Sequence, residues 1–185
     1  MSKREDAKFI YETAIRHSLP DAAVKEALSQ FVPPRGRLLL VAIGKAAWQM
    51  AKAAHDALGE RIDCGIVITK YAHSRGAIGN FEIYEAAHPV PDEAGIRASG
   101  RALEVTKDLS CEDVVLFLVS GGGSALFEYV EFPLEDLSAL TNQMLASGAS
   151  IEEMNTVRKH LSLVKGGRFA EHIYPARVFA IVLSD

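Results

Sequence analysis

An α/β fold, a three-layer sandwich with a mainly parallel sheet between helices, follows from three observations on this 185-residue chain. The runs 38–43, 65–69, 114–119 and 178–183 are apolar almost throughout, the pattern of parallel strands covered on both faces. They alternate with segments whose apolar residues recur every three or four positions, so helices connect the strands. The third run passes straight into Ser120-Gly121-Gly122-Gly123-Ser124 and then into a helix-like pattern, the kind of strand-to-helix junction at which such sheets hold ligands.

Each element has its own signal. Residues 5–17 predict a first helix, with Phe9, Ile10 and Ala14 apolar. Ser18-Leu19-Pro20-Asp21 resembles a capping box with proline in the first turn, opening a helix through Val24, Ala27, Leu28 and Phe31 that Pro33-Pro34 stops. After the strand at 38–43, Gly44 leads into Ala46, Ala47, Met50, Ala51, Ala54 and Leu58, whose alanines form a face slim enough for close packing on a sheet. The strand at 65–69 is followed by a loop over 73–80 and a weaker strand at 81–86. His88-Pro89-Val90-Pro91-Asp92 reads as a stiff turn into a helix carrying Ile96, Gly100 and Leu103 on one side. Ser150-Ile151-Glu152-Glu153 is a second capping-box pattern, starting a helix through Met154, Val157 and Leu161. Gly166-Gly167 marks a break or a close approach near that helix's end. The strand at 178–183 is expected to be buried like the others, and 114–119 to be a central one.

Composition narrows the function classes. A formal net charge of −4, with no dense Lys/Arg stripe, lacks the electrostatic footprint of a nucleic-acid binder. The N-terminus carries charges of both signs with no apolar stretch behind it, and no segment reaches the 18 or so apolar residues of a membrane span. A soluble, cytoplasmic protein is expected. Cys64 and Cys111 are isolated, without metal or redox spacing.

The candidate chemistry lies at strand ends. Glycines let the backbone turn with its N–H groups pointing one way, and a following helix start adds unpaired donors, so the 120–124 loop suits an anion, most often phosphate; a plain turn is the other reading. Lys45 is expected in the first turn of the helix after Gly44, where a cation faces the positive end of the helix dipole unless an anion lies between. It is either a solvated lysine or one wall of a crevice shared with the 120–124 loop. His88 and Asp92 read as a rigid turn with Asp92 capping the next helix, or as another wall. Asn155 stands three residues before Arg158 and four before Lys159, so one helical face can present them; the segment is either a solvated basic face or an anion clamp through Arg158, with Lys165 approaching closely before Gly166-Gly167. Asp185 directly follows a strand, where phosphoryl transfer needs an acidic group for magnesium or for the substrate hydroxyl proton; a frayed terminus is its other reading.

Taken in order, Gly44-Lys45-Ala46, His88-Pro89-Val90-Pro91-Asp92, Ser120-Gly121-Gly122-Gly123-Ser124-Ala125-Leu126, Asn155-Thr156-Val157-Arg158-Lys159-His160-Leu161-Ser162, Lys165-Gly166-Gly167 and Leu183-Ser184-Asp185 resemble the class II glycerate 2-kinase family, some of whose members are labelled hydroxypyruvate reductases. The resemblance spans nearly the whole chain. It implies ATP-dependent transfer of phosphate to the 2-hydroxyl of D-glycerate with a divalent metal, Mg2+. It also implies a Rossmann-like domain over 1–185, with a second α/β domain and its share of the site absent. By that resemblance Lys45, Arg158 and Asp185 are catalytic and Asp185 also meets the metal. Ser120, Gly121, Gly122, Gly123 and Ser124 bind the nucleotide, and Asn155, Lys165 and His88 meet the substrate. The 185 residues alone are expected to turn over little, and self-association through the surface a second domain would cover is an expectation. An NAD(P)H-dependent reductase fits the sequence less well, because Gly44-Lys45-Ala46-Ala47-Trp48-Gln49 offers one glycine and a bulky Trp48 where a dinucleotide site wants G-x-G-x-x-G. A ligand-binding chain without turnover is the third reading.

Overall fold

The computed structural model describes residues 2–17 and 19–184. Five strands form one sheet: β1 (Leu38–Ile43), β2 (Cys64–Lys70), β3 (Glu82–Ala86), β4 (Val114–Val119) and β5 (Arg177–Val182). Their order is β3-β2-β1-β4-β5 and every pairing is parallel. All six residues of β1 are buried, as a strand flanked on both edges and covered on both faces must be. β1 takes the centre and β4 stands beside it, an interior strand between β1 and β5.

Alternation along β1 divides the core in two. Leu38, Leu40 and Ala42 face α2 (Asp21–Ser29) and α3 (Ala47–Leu58), meeting Val24, Leu28, Met50, Ala51 and Ala54. Leu39, Val41 and Ile43 face α4 (Glu93–Val105), the single turn α5 (Gly123–Leu126) and α8 (Arg168–Ile173), meeting Ala98, Ala102, Leu126, Phe169 and Ile173. Helices therefore lie on both sides of the sheet, the expected three layers. The alanine face of α3 is fully buried, so small side chains set how closely that helix approaches the sheet.

Several elements depart from the sequence reading. β5 pairs parallel with β4 but is not buried: Val178 is 44% and Val182 67% exposed. It is an edge strand, and only Phe179 and Ile181 pack into the core, Phe179 edge-on to Phe31 at 5.1 Å. α1 (Lys3–His17) is capped reciprocally by Ser2 and Glu5, yet Phe9, Ile10, Tyr11 and Ile15 are exposed. α2 starts at Asp21 with Pro20 before it and no side-chain cap, and Ser18 lies outside the described residues. Two helices escaped the sequence reading: α6 (Leu134–Ala146) and α8, which begins after Gly167 at φ 93°. Between them α7 (Ile151–Leu161) has the expected capping box, with Ser150 and Glu153 each accepting the other's backbone N–H.

Candidate active site

β1 and β4 are neighbours whose following segments leave toward opposite faces of the sheet, α3 on one and α5 on the other. Such a switch point opens a crevice beyond the carboxyl ends of the strands. Two turns meet there. Gly44 leaves β1 at φ 115°, a conformation only glycine takes without strain, and its Cβ position would collide with the Ser120 backbone. The Lys45 N–H donates to Gly121 O at 2.9 Å. The Ser120 hydroxyl, buried, accepts the Ala46 N–H at 3.0 Å and donates to Ile43 O at 3.3 Å. Thr69 Oγ1 closes the turn from below, donating to Gly44 O at 3.1 Å. Ser120 thus spends its hydroxyl on joining the two turns.

Lys45 lies in the turn ahead of α3 and not in its first helical turn, since the helix begins at Ala47. The reason is that Ser120 takes the Ala46 N–H and holds the chain in a turn for two residues beyond Gly44. Lys45 is exposed and still stands at the positive end of α3.

In the glycine loop, Gly122 adopts the left-handed conformation, φ 83° and ψ −4°. The Gly123 N–H turns back to Ser120 O at 3.1 Å, and Gly122 O takes the N–H groups of Ala125 and Leu126. The N–H groups of Gly121, Gly122 and Ser124 have no such partner among the described residues. The helix after the loop is one turn only, because the chain extends again at Phe127. A Cβ on Gly122 would meet His88 Cδ2 at 2.9 Å and Lys45 Cε at 3.3 Å, so His88 and Lys45 close over this glycine. Burial first, then Lys45 and Lys70, push the His88 imidazole below its ordinary value and favour its neutral form.

On the other side of the loop lies a cavity of about 320 Å3, lined by Gly123, Ser124, Asn155, Arg158, Lys159 and Lys165 among others. Arg158 Nη2 donates to Ser124 O at 3.4 Å and pairs with Glu128 Oε2 at 3.5 Å. Lys165 Nζ donates to Phe127 O at 2.9 Å and to Glu128 Oε2 at 2.6 Å. Burial pushes the Lys165 ammonium down to about 8, against the pull of Glu128. A second hollow of about 360 Å3 opens on the α3 side, lined by Lys45, Trp48, His73 and Arg75 among others.

A family model described as a domain of unknown function, DUF4147, matches residues 6–185. The chain belongs to the DUF4147 family. It is 57% identical over 178 residues to D-glycerate 2-kinase of Thermotoga maritima, covering 95% of this chain and 42% of that protein. It is 43% identical over 188 residues to a protein of Agrobacterium vitis whose provisional name is hydroxypyruvate reductase, covering 100% of this chain and 42% of that one. A crystal structure of glycerate kinase from Thermotoga maritima superposes with a TM-score of 0.84 at 53% identity, over 98% of this chain and 45% of that chain. The chain spans about two fifths of the length of these curated relatives.

Within this DUF4147 chain the sequence-nominated residues fall into two groups around one loop. Lys45, His88 and Gly122 meet on one side, and Gly123, Ser124, Asn155, Arg158 and Lys165 line the other. Asp92 caps α4, accepting the Gly95 N–H at 2.9 Å, and takes the Tyr71 hydroxyl at 2.8 Å. Burial pushes its carboxyl up, but these hydrogen bonds outweigh that and hold it below the ordinary value. Asp185 lies outside the described residues. Among the described residues, no group of three or more His, Cys, Asp or Glu side chains is arranged to hold a metal ion, and no helix is long and apolar enough to cross a membrane. Sequence reasoning missed Glu128, His73 and Arg75. Glu128 had a signal, a lone acid inside the apolar run Ala125-Leu126-Phe127-Glu128-Tyr129-Val130.

Proposed function

We propose that these residues form one wall of the active-site cleft of a cytoplasmic glycerate 2-kinase, which transfers a phosphoryl group from ATP to the 2-hydroxyl of D-glycerate. The observation that carries the reading is the meeting of Lys45, His88 and Gly122 at the switch point, beside loop N–H groups left without partners. Phosphoryl transfer asks little covalent chemistry of a protein; it asks for positioning and for charge aimed at the transferred group. In this reading Lys45 and the N–H groups of Gly121, Gly122 and Ser124 take the nucleotide phosphates. Asn155, Arg158 and Lys165 face the acid, and the neutral His88 ring packs over the loop between the two. The names of the Thermotoga maritima relative and crystal structure support the substrate.

Mg2+ fits less directly. The described residues offer no cage for it, although a magnesium held by nucleotide phosphates needs only one or two protein carboxylates. Asp185 is the carboxylate the sequence nominates.

The hydroxypyruvate reductase label of the Agrobacterium vitis relative finds less support. The turn after β1 is closed by the Ser120 hydroxyl and carries a single glycine, leaving a pyrophosphate no usual approach. The test is a coupled ADP-release assay with ATP and D-glycerate on the protein as it occurs in the cell, beside an absorbance assay of NADH or NADPH with hydroxypyruvate. ADP release without cofactor oxidation is expected. Steady cofactor oxidation without ADP release would overturn the reading.

A further inference from the structure

Glu128 follows α5 and is 1% exposed. Its Oε2 takes both Lys165 and Arg158, while its Oε1 is buried with no hydrogen-bond partner among the described residues. Apolar side chains of equal volume commonly serve stability as well as a buried ion cluster, so stability alone is a poor reason for this one. What the cluster supplies is charge and direction. Two cations against one carboxylate leave a single positive charge beside the cavity that Ser124, Asn155, Arg158 and Lys165 line.

Resting on the kinase reading of this crevice, we propose that Glu128 is a positioning residue which holds Lys165 and Arg158 together and aims them, so that the cavity receives the carboxylate of a small hydroxy acid. Glu128 does not touch the acid; it acts through the two cations. The excess positive charge favours an anion, and the planar Arg158 fork suits a carboxylate.

The electrostatics follow the same geometry. Burial drives Lys165 toward its neutral form, Arg158 pushes the same way, and Glu128 opposes both. Of the other charged groups nearby, Lys159 of α7 lines the cavity and Arg168 of α8 is turned onto Ser162 O at 2.9 Å. With the Glu128 charge removed, the attraction that opposes burial and Arg158 is lost, and Lys165 shifts toward its neutral form.

The experiment titrates D-glycerate calorimetrically into the wild-type protein, Glu128→Gln and Lys165→Arg between about pH 6 and about pH 9.5, with KM for acid and for nucleotide measured alongside. Wild-type affinity for the acid should fall as pH rises through about 8. Glu128→Gln should weaken acid binding at pH 7 by about tenfold or more, as losing a charge-assisted contact does, and move the alkaline loss to lower pH while nucleotide KM holds within about twofold. Lys165→Arg, charged at every pH tested, should lose the alkaline fall. Glu128→Gln that melts lower but binds acid with wild-type affinity and pH dependence would make Glu128 purely structural and overturn the proposal. If that variant does not fold, an unchanged alkaline fall in Lys165→Arg overturns it, and so does a wild-type protein that binds no D-glycerate. Acid binding with the expected pH profile but no ADP release would instead sink the kinase reading and leave the role of Glu128 standing.

Discussion

Gly122→Ala is the sharpest single probe of the loop. The residue stands at φ 83°, where a side chain costs about 1–2 kcal/mol in backbone strain alone. The added methyl would also lie 2.9 Å from Cδ2 and 3.0 Å from Nε2 of His88, and 3.3 Å from Cε of Lys45. His88 is half-buried and has little room to retreat, so the ring, the lysine stem or the loop must shift by several tenths of an ångström. If the N–H groups of Gly121, Gly122 and Ser124 hold phosphate, displacing one of them removes a charge-assisted hydrogen bond of about 1.5–3 kcal/mol, a loss of about tenfold to hundredfold in affinity. The assay is calorimetric titration of ATP with urea melts on the same samples. Gly148→Ala is the control, since Gly148 also has positive φ, 75°, but nothing lies within 4 Å of its Cβ position. Gly148→Ala should lose about 1–2 kcal/mol of stability and Gly122→Ala more than that, and only Gly122→Ala should lose nucleotide affinity. Equal ATP affinity in Gly122→Ala and wild type would refute the argument and leave the loop a plain turn.

Lys45 and Asp113 supply two further predictions. Lys45→Met keeps the stem and removes an exposed charge at the start of α3, so phosphoryl transfer should slow by about a hundredfold with thermal stability unchanged or slightly raised, measured by single-turnover kinetics and melting. Asp113 is buried at the head of β4, where it accepts the Arg37 N–H at 2.6 Å and the Ser110 N–H at 2.8 Å; burial pushes its carboxyl up, but these bonds outweigh that and hold it below the ordinary aspartate value. Its stabilisation is therefore complete above about pH 4 and lost as pH falls through the lowered value, so Asp113→Asn should be less stable by about 1–3 kcal/mol at neutral pH and the gap should close on acidification, read from melts between about pH 2 and about pH 7.

Much of this molecule is local in origin. The run of six apolar residues at 38–43 reads as a strand covered on both faces, and Ser150 with Glu153 caps its helix through contacts three residues apart. The Ser120–Ser124 loop was visible for the same reason: glycine content and an adjoining apolar run belong to one stretch of chain. The sequence also nominated Lys45, His88 and Arg158, since each sits beside a strand end or on one helical face.

Only the tertiary structure decided what these residues do to one another. Residues 178–183 are as apolar as the inner strands, yet their exposure depends on having no strand paired beyond them among the described residues, a fact held by the sheet order and not by the run itself. Ser120 looked like a ligand residue, but its hydroxyl lies against Ala46, 74 positions away in the chain. Glu128 became important because folding removed its water and brought Lys165 from 37 residues away. Periodicity and propensity act over a few neighbours, whereas burial and charge pairing depend on distances that exist only once the chain has closed on itself.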